Sequence, residues 1–245
     1  MIVTLALLAW LAALLTMSTM DEGPGTPLHS LPIFLIGWVV MLTAMMLPSE
    51  LNYVGTFVKL VSGQKQAGST VTLFIAGYAL AWVCYGLAAF ALDAVLRLAS
   101  FETLSWARSG PLWAGMVLVL AALYQLSSLK ERCLDHCRAP ISYFARHWRP
   151  GRLGALVMGA RHGAVCVGCC WALMAVMFAV GVMNLTWMAL LTLIMFAEKI
   201  VPGGKTLGVP IALLLLTMGV WVALSPDTAP MLADPLVFRS LCGSL

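Results

Sequence analysis

Long apolar runs separated by short polar clusters dominate the chain. Most are near the roughly 20 residues that a helix needs to cross a hydrocarbon core. They predict spans over about 2–19, 31–47, 71–92, 111–129, a fifth from 154 or 161 to 181, then 185–197 and 207–224. The first run lacks a basic leading segment and reads as a span rather than a signal peptide. Turn residues and charge mark the breaks: Asp21 to Gly25, Pro48, the polar stretch 59–70, the mixed stretch 93–110, Gly181 to Leu185, and Pro202 to Gly204. Pro111 is expected at a helix start. The most polar segment, 130–152, reads as a loop whose second half alternates aromatic and basic residues, a pattern suited to lying along lipid headgroups. Residues 225–245, with Pro226, Pro230 and Pro235, read as an extramembrane tail.

Composition turns this pattern into a fold class. The chain is 62% hydrophobic and only 10% charged, which is too little polar surface for a soluble domain of 245 residues. The expectation is an all-α, polytopic transmembrane bundle over 1–224 with about seven spans. A six-span arrangement, with spans five and six forming a re-entrant pair, is the competing reading. With seven spans and the N-terminus inside, eleven of the 14 Lys and Arg fall in cytoplasmic loops and three outside. That bias places the loop 130–152 in the cytoplasm, where thiols stay reduced. The seven cysteines therefore do not imply disulfides.

The chemistry is concentrated in the fifth span. On a helix, His162, Cys166, Cys169, Cys170, Met174 and Met177 share an arc of roughly 140° and extend about 22 Å along the axis. Imidazole, thiolate and thioether bind late first-row metals, and thiolate with thioether leans toward Cu(I). Against this stands the plain reading of Cys as a small hydrophobe and Met as a filler. A second cluster, Cys133, His136 and Cys137, places two thiols one turn apart, yet cannot complete a site alone. Under the inferred topology Met45, Met46 and Glu50, Cys133, His162 with Cys166, and Glu198 with Lys199 all converge on the cytoplasmic end. Glu198 and Lys199 read either as a snorkelling pair at a helix end or as a gating or coordinating acid neutralised by its neighbour. Arg161 either points inward and lowers the pKa of Cys166 or snorkels.

Other chemistries find no support. There is no serine-protease, glycosidase or phosphate-loop arrangement, and four His make paired haem ligation weak. Nucleic-acid binding by the basic–aromatic loop is disfavoured on a membrane bundle. The segment Gly37-Trp38, Met41, Ala44 to Ser49, the central Tyr124-Gln125, Leu129-Lys130, Cys133-Leu134, His136 to Arg138 and Pro140, and the distal Gly163, Cys166, Gly168 to Trp171, Leu173-Met174, Gly181 to Asn184 and Glu198-Lys199 together resemble a known group. It is a bacterial family of predicted metal-binding integral membrane proteins, sometimes called copper chaperone-like. The resemblance covers about 37–205 and implies a metal.

The resulting expectation is a membrane protein that handles a soft transition metal, copper favoured, with zinc or iron as alternatives. Delivery, sequestration or metalloenzyme maturation would be its role, more in keeping with a binding protein than an enzyme. Candidate ligands are Cys133, His136, Cys137, His162, Cys166, Cys169, Cys170, Met174, Met45, Met46 and Glu198. Expected partners are the lipid bilayer and a metalloenzyme or soluble metal-binding protein, with no nucleic acid. The alternatives are a quinone-linked thiol oxidoreductase, in which Cys133 with Cys166 makes a better pair than the strained vicinal Cys169-Cys170, and a non-catalytic assembly or anchoring subunit.

Overall fold

The computed structural model describes residues 2–16, 30–98, 106–180, 185–201 and 204–224, and every element among them is helical. The helices are α1 (Ile2–Thr16), α2 (Leu31–Met46), α3 (Leu51–Val61), α4 (Ala67–Leu98), α5 (Trp106–Gln125), α6 (Ser128–Arg138), α7 (Pro140–His147), α8 (Gly151–Val180), α9 (Leu185–Ile200) and α10 (Gly208–Leu224). The 181–185 turn falls partly, and the 225–245 tail with Cys242 wholly, outside the described residues.

Local sequence accounts for the breaks. Pro32 sits in the first turn of α2, where its missing N–H costs nothing, and Pro48 opens a 3-10 turn, Pro48–Glu50, that leads into α3. Ser127 caps α6 by accepting from the Lys130 amide at 3.2 Å. Gly151 adopts φ +82° where the chain turns into α8, a conformation that glycine enters without penalty. Three expectations change here. The segment 130–152 is mostly the two helices α6 and α7 rather than a loop, because Ser127 and Pro140 each start a helix. The polar stretch 59–70 shrinks to a turn at 62–66. Pro111 lies inside α5, which begins earlier, at Trp106.

Among the described residues the number of candidate spans is lower than the expected seven. Two helical segments, Ala67–Val95 and Gly151–Phe178, are long and apolar enough to cross a membrane; counting each of two bent pairs as one span raises the number to four. The pairs bend by 48° between Leu31–Met46 and Pro48–Val61, and by 65° between Pro111–Gln125 and Ser128–Arg138. The apolar runs at 2–16, 185–200 and 208–224 give helices of 15, 16 and 17 residues. At 1.5 Å per residue these extend only about 22–26 Å, short of a hydrocarbon core of about 30 Å.

The centre of the bundle is the pair α4 and α8, which run parallel in close contact. A Cβ on Gly159 would lie 2.0 Å from the Phe74 carbonyl oxygen, and one on Gly163 would lie 2.7 Å from that of Tyr78. Gly159 and Gly163 form a small-xxx-small face that lets the two backbones touch. α5 and α10 pack antiparallel through Gly115 and Gly219, and α2 is fixed to α4 by Trp38 Nε1 donating to the Trp82 carbonyl at 3.1 Å. One apolar cluster fills the space between α2, α4, α5, α8 and α9. A second, aromatic cluster of Tyr53, Phe57, Phe74, Tyr143 and Phe144 closes the end of the bundle where α3 and α7 meet α4 and α8.

Candidate metal centre

The α8 stripe is wholly internal: His162, Cys166, Cys169, Cys170, Met174 and Met177 are all buried, while the intervening Arg161 and Trp171 face outward. Helical periodicity produces this directly, since the six lie on one face. The close approach of α4 leaves that face no solvent. The Arg161 side chain is thus directed away from Cys166.

α6 supplies what α8 cannot. It crosses α8 so that Cys137 is buried with its Sγ 3.7 Å from that of Cys169. Cys137, Cys166 and Cys169 form a group whose sulfurs all lie within 4.8 Å of one another. Metal–thiolate bonds of about 2.3 Å require sulfurs about 4 Å apart in a planar trigonal site. The triad therefore fits a metal with small side-chain adjustments. Cys170 lies 3.2 Å, sulfur to sulfur, from Cys169 but outside the triad. All six cysteines among the described residues are free thiols.

A buried ion network flanks the thiols. Lys199, from the end of α9, donates to Glu50 Oε1 at 2.8 Å, to Cys166 Sγ at 3.1 Å and to Ser49 Oγ at 3.1 Å. These three bonds use all the donors of an ammonium. The other carboxylate oxygen of Glu50 lies 2.6 Å from His162 Nε2, and Tyr78 Oη lies 3.3 Å from Cys166 Sγ. The His162 ring stacks on Tyr53 with centroids 3.7 Å apart, and its Nδ1 has no hydrogen-bond partner among the described residues. At the rim, Tyr143 donates to the Met158 carbonyl at 2.7 Å, and burial pushes its phenol up to about 12. The arrangement can hold a soft cation among thiolates while Lys199 offsets their negative charge.

The remaining candidates lie elsewhere. Cys133 is half-buried against Gly168, where a Cβ would come 2.9 Å from its sulfur, and it is not part of the triad. His136 is exposed with Nδ1 2.9 Å from the Arg132 carbonyl oxygen, while its own carbonyl accepts from Tyr53 Oη. Met45, Met46 and Met174 are buried in the large apolar cluster. Glu198 and Lys199 are both buried, so they do not snorkel, and they are not partners of one another. Glu198 instead pairs with Lys130 at 2.8 Å and accepts from Gln125. Glu50, Lys130 and Gln125 were not among the candidate ligands. For Glu50 and Lys130 the signal was present in the sequence, because an ionisable residue at the edge of an apolar run is expected to find an internal partner.

Residues 35–222 match the PpoB2 family, described as copper chaperone. No curated protein and no solved structure matches the chain.

Proposed function

This chain belongs to the PpoB2 copper chaperone family, and from that premise we propose that it is a membrane-embedded carrier of Cu(I). The ion is cargo, held by Cys137, Cys166 and Cys169 and handed on to a metalloenzyme. The observation that carries this reading is the buried three-thiol group with sulfurs within 4.8 Å.

Three features support Cu(I) in particular. Thiolates select soft ions. Zinc in a closed protein site takes four ligands, whereas no fourth Cys, His, Asp or Glu joins the triad among the described residues. The triad is shielded from solvent, which suits a soft, weakly hydrated ion held by sulfur. Cys170, at 3.2 Å from Cys169, is placed to accept the ion in a ligand-exchange step. Met174 lies one turn further along the same face.

Membrane embedding is supported by the long apolar α4 and α8 and by outward-facing leucines such as Leu7, Leu15, Leu123 and Leu193. The bias of Lys and Arg between predicted loops favours a bacterial inner-membrane orientation with the N-terminus and the thiol end toward the cytoplasm. The role is binding and delivery rather than catalysis of a bond-changing reaction.

The test is Cu(I) reconstitution of detergent-purified protein under anaerobic conditions, followed by challenge with a competing chelator. Wild-type protein should retain one Cu(I), while Cys166→Ser and Cys169→Ser should lose it and Cys84→Ser should not. Retention of zinc instead of copper would move the metal and keep the site. Retention of neither metal would leave a thiol-redox or packing role.

A further inference from the structure

Of the three cysteines in the triad, only Cys137 is not on α8; it arrives on α6, whose attachment to the bundle is unusual. α6 leaves α5 at a 65° bend. Its sequence, Ser-Leu-Lys-Glu-Arg-Cys-Leu-Asp-His-Cys-Arg, buries only Lys130, Leu134 and Cys137. So small an apolar contact cannot by itself hold a three-turn helix against α8. Polar bonds do so instead: one from Tyr53 Oη on α3 to the His136 carbonyl, and several to the C-terminal end of α9. Lys130 Nζ donates to both Glu198 oxygens, at 2.9 and 2.8 Å, and also to Gln125, whose amide in turn bonds Glu198. At the other end of α6, the Arg138 guanidinium donates to the Val201 carbonyl. Lys130 and Cys137 are two turns apart on the same buried face, about 10.5 Å along the axis.

We propose that the buried Lys130–Gln125–Glu198 cluster is a latch that positions Cys137 over α8, so that Glu198 serves the thiol site through α6 and not as a ligand. This deepens the reading of the triad as a copper site and rests on it for its purpose. The latch itself is a statement about helix position. Releasing Lys130 lets α6 shift between two breaks, the bend at 126–127 and Ala139 before the packed α7, which withdraws Cys137 from Cys169 while Cys166 and Cys169 stay together on α8. Lys130, Gln125 and Glu198 are therefore positioning residues. A movement of this kind would open the site for loading or release.

The test is maleimide labelling of metal-free, reduced, full-length protein in detergent, with each cysteine read by mass mapping. Lys130→Met should raise the labelling rate of Cys137 about tenfold or more, as expected for a locally opened segment. The rate at Cys166 should change by less than about twofold, because α8 is not opened. Glu198→Gln, which keeps the side-chain shape and loses the charge, should raise Cys137 labelling to an intermediate degree, and it decides the matter if Lys130→Met does not fold. The swapped pair Lys130→Glu with Glu198→Lys should restore protection. Unchanged Cys137 labelling in the single variants would overturn the proposal, and so would an equal rise at Cys166, which would mean general loosening. The readout needs no metal, so a failure of copper binding leaves it standing. In copper-loaded protein the single variants should show two sulfur neighbours in place of three.

Discussion

Cys137 and Cys169 are 32 residues apart in sequence and 3.7 Å apart between sulfurs. The contact exists because the chain bends at 126–127 and lays α6 back across α8. It makes one site from two motifs, with Cys137 from α6 completing the pair Cys166 and Cys169 from α8. It also separates the two cysteines of α6, since Cys133, one turn earlier, meets Gly168 instead of the triad.

That separation predicts unequal effects of two similar substitutions. Cys137→Ser should lower Cu(I) affinity by at least about 100-fold, since loss of an outer-shell partner alone costs 10–100-fold. Cys133→Ser should cost much less. Competition titration against a Cu(I) chelator measures both, and equal losses would contradict a three-sulfur site formed without Cys133.

Lys199 provides a prediction about stability. Removing it leaves the buried Glu50 carboxylate with His162 as its one remaining ionisable partner, so Lys199→Met should destabilise the fold by about 3 kcal/mol, the low end for breaking a buried pair. Neutralising both partners, as Glu50→Gln with Lys199→Met, should recover most of that loss. Denaturation in detergent checks the difference. A double variant no more stable than the single would show that Lys199 does not act through this ion pair.

The α4–α8 contact gives a third. Gly159→Leu places a side chain where a Cβ already lies 2.0 Å from the Phe74 carbonyl, so backbone must move and the bundle should fail to assemble. Gly55→Ala, on α3 with nothing within 4 Å of its Cβ, should be neutral or slightly stabilising, by about 0.5–1 kcal/mol at most. Size-exclusion profiles of the purified variants distinguish the two outcomes.

The helical class and most helix positions were legible in the sequence because hydrophobic periodicity and proline or glycine breaks are local signals. The shared face of His162, Cys166, Cys169 and Cys170 was legible for the same reason. Which helices extend far enough to cross a bilayer was less so: Pro48 and the 126–127 bend turn apolar runs aside, and the described parts of α1, α9 and α10 are shorter than a full crossing. The pairing of the charges was hidden too. Glu198 and Lys199 are neighbours in sequence, and that suggested a pair. As successive helical residues they point about 100° apart, so Glu198 reaches Lys130 while Lys199 reaches Glu50. No local pattern encodes which distant helix lies on each side. The exposure of His136 was hidden in the same way, since the approach of α6 to α8 decides which of its faces turns inward.

X-ray absorption at the copper edge of anaerobically loaded, detergent-purified protein tests the central claim most directly. The account predicts Cu(I) with three sulfur neighbours at about 2.3 Å, falling to two in Cys137→Ser. Copper held mainly by nitrogen or oxygen, or a sulfur count that Cys137→Ser leaves unchanged, would contradict it.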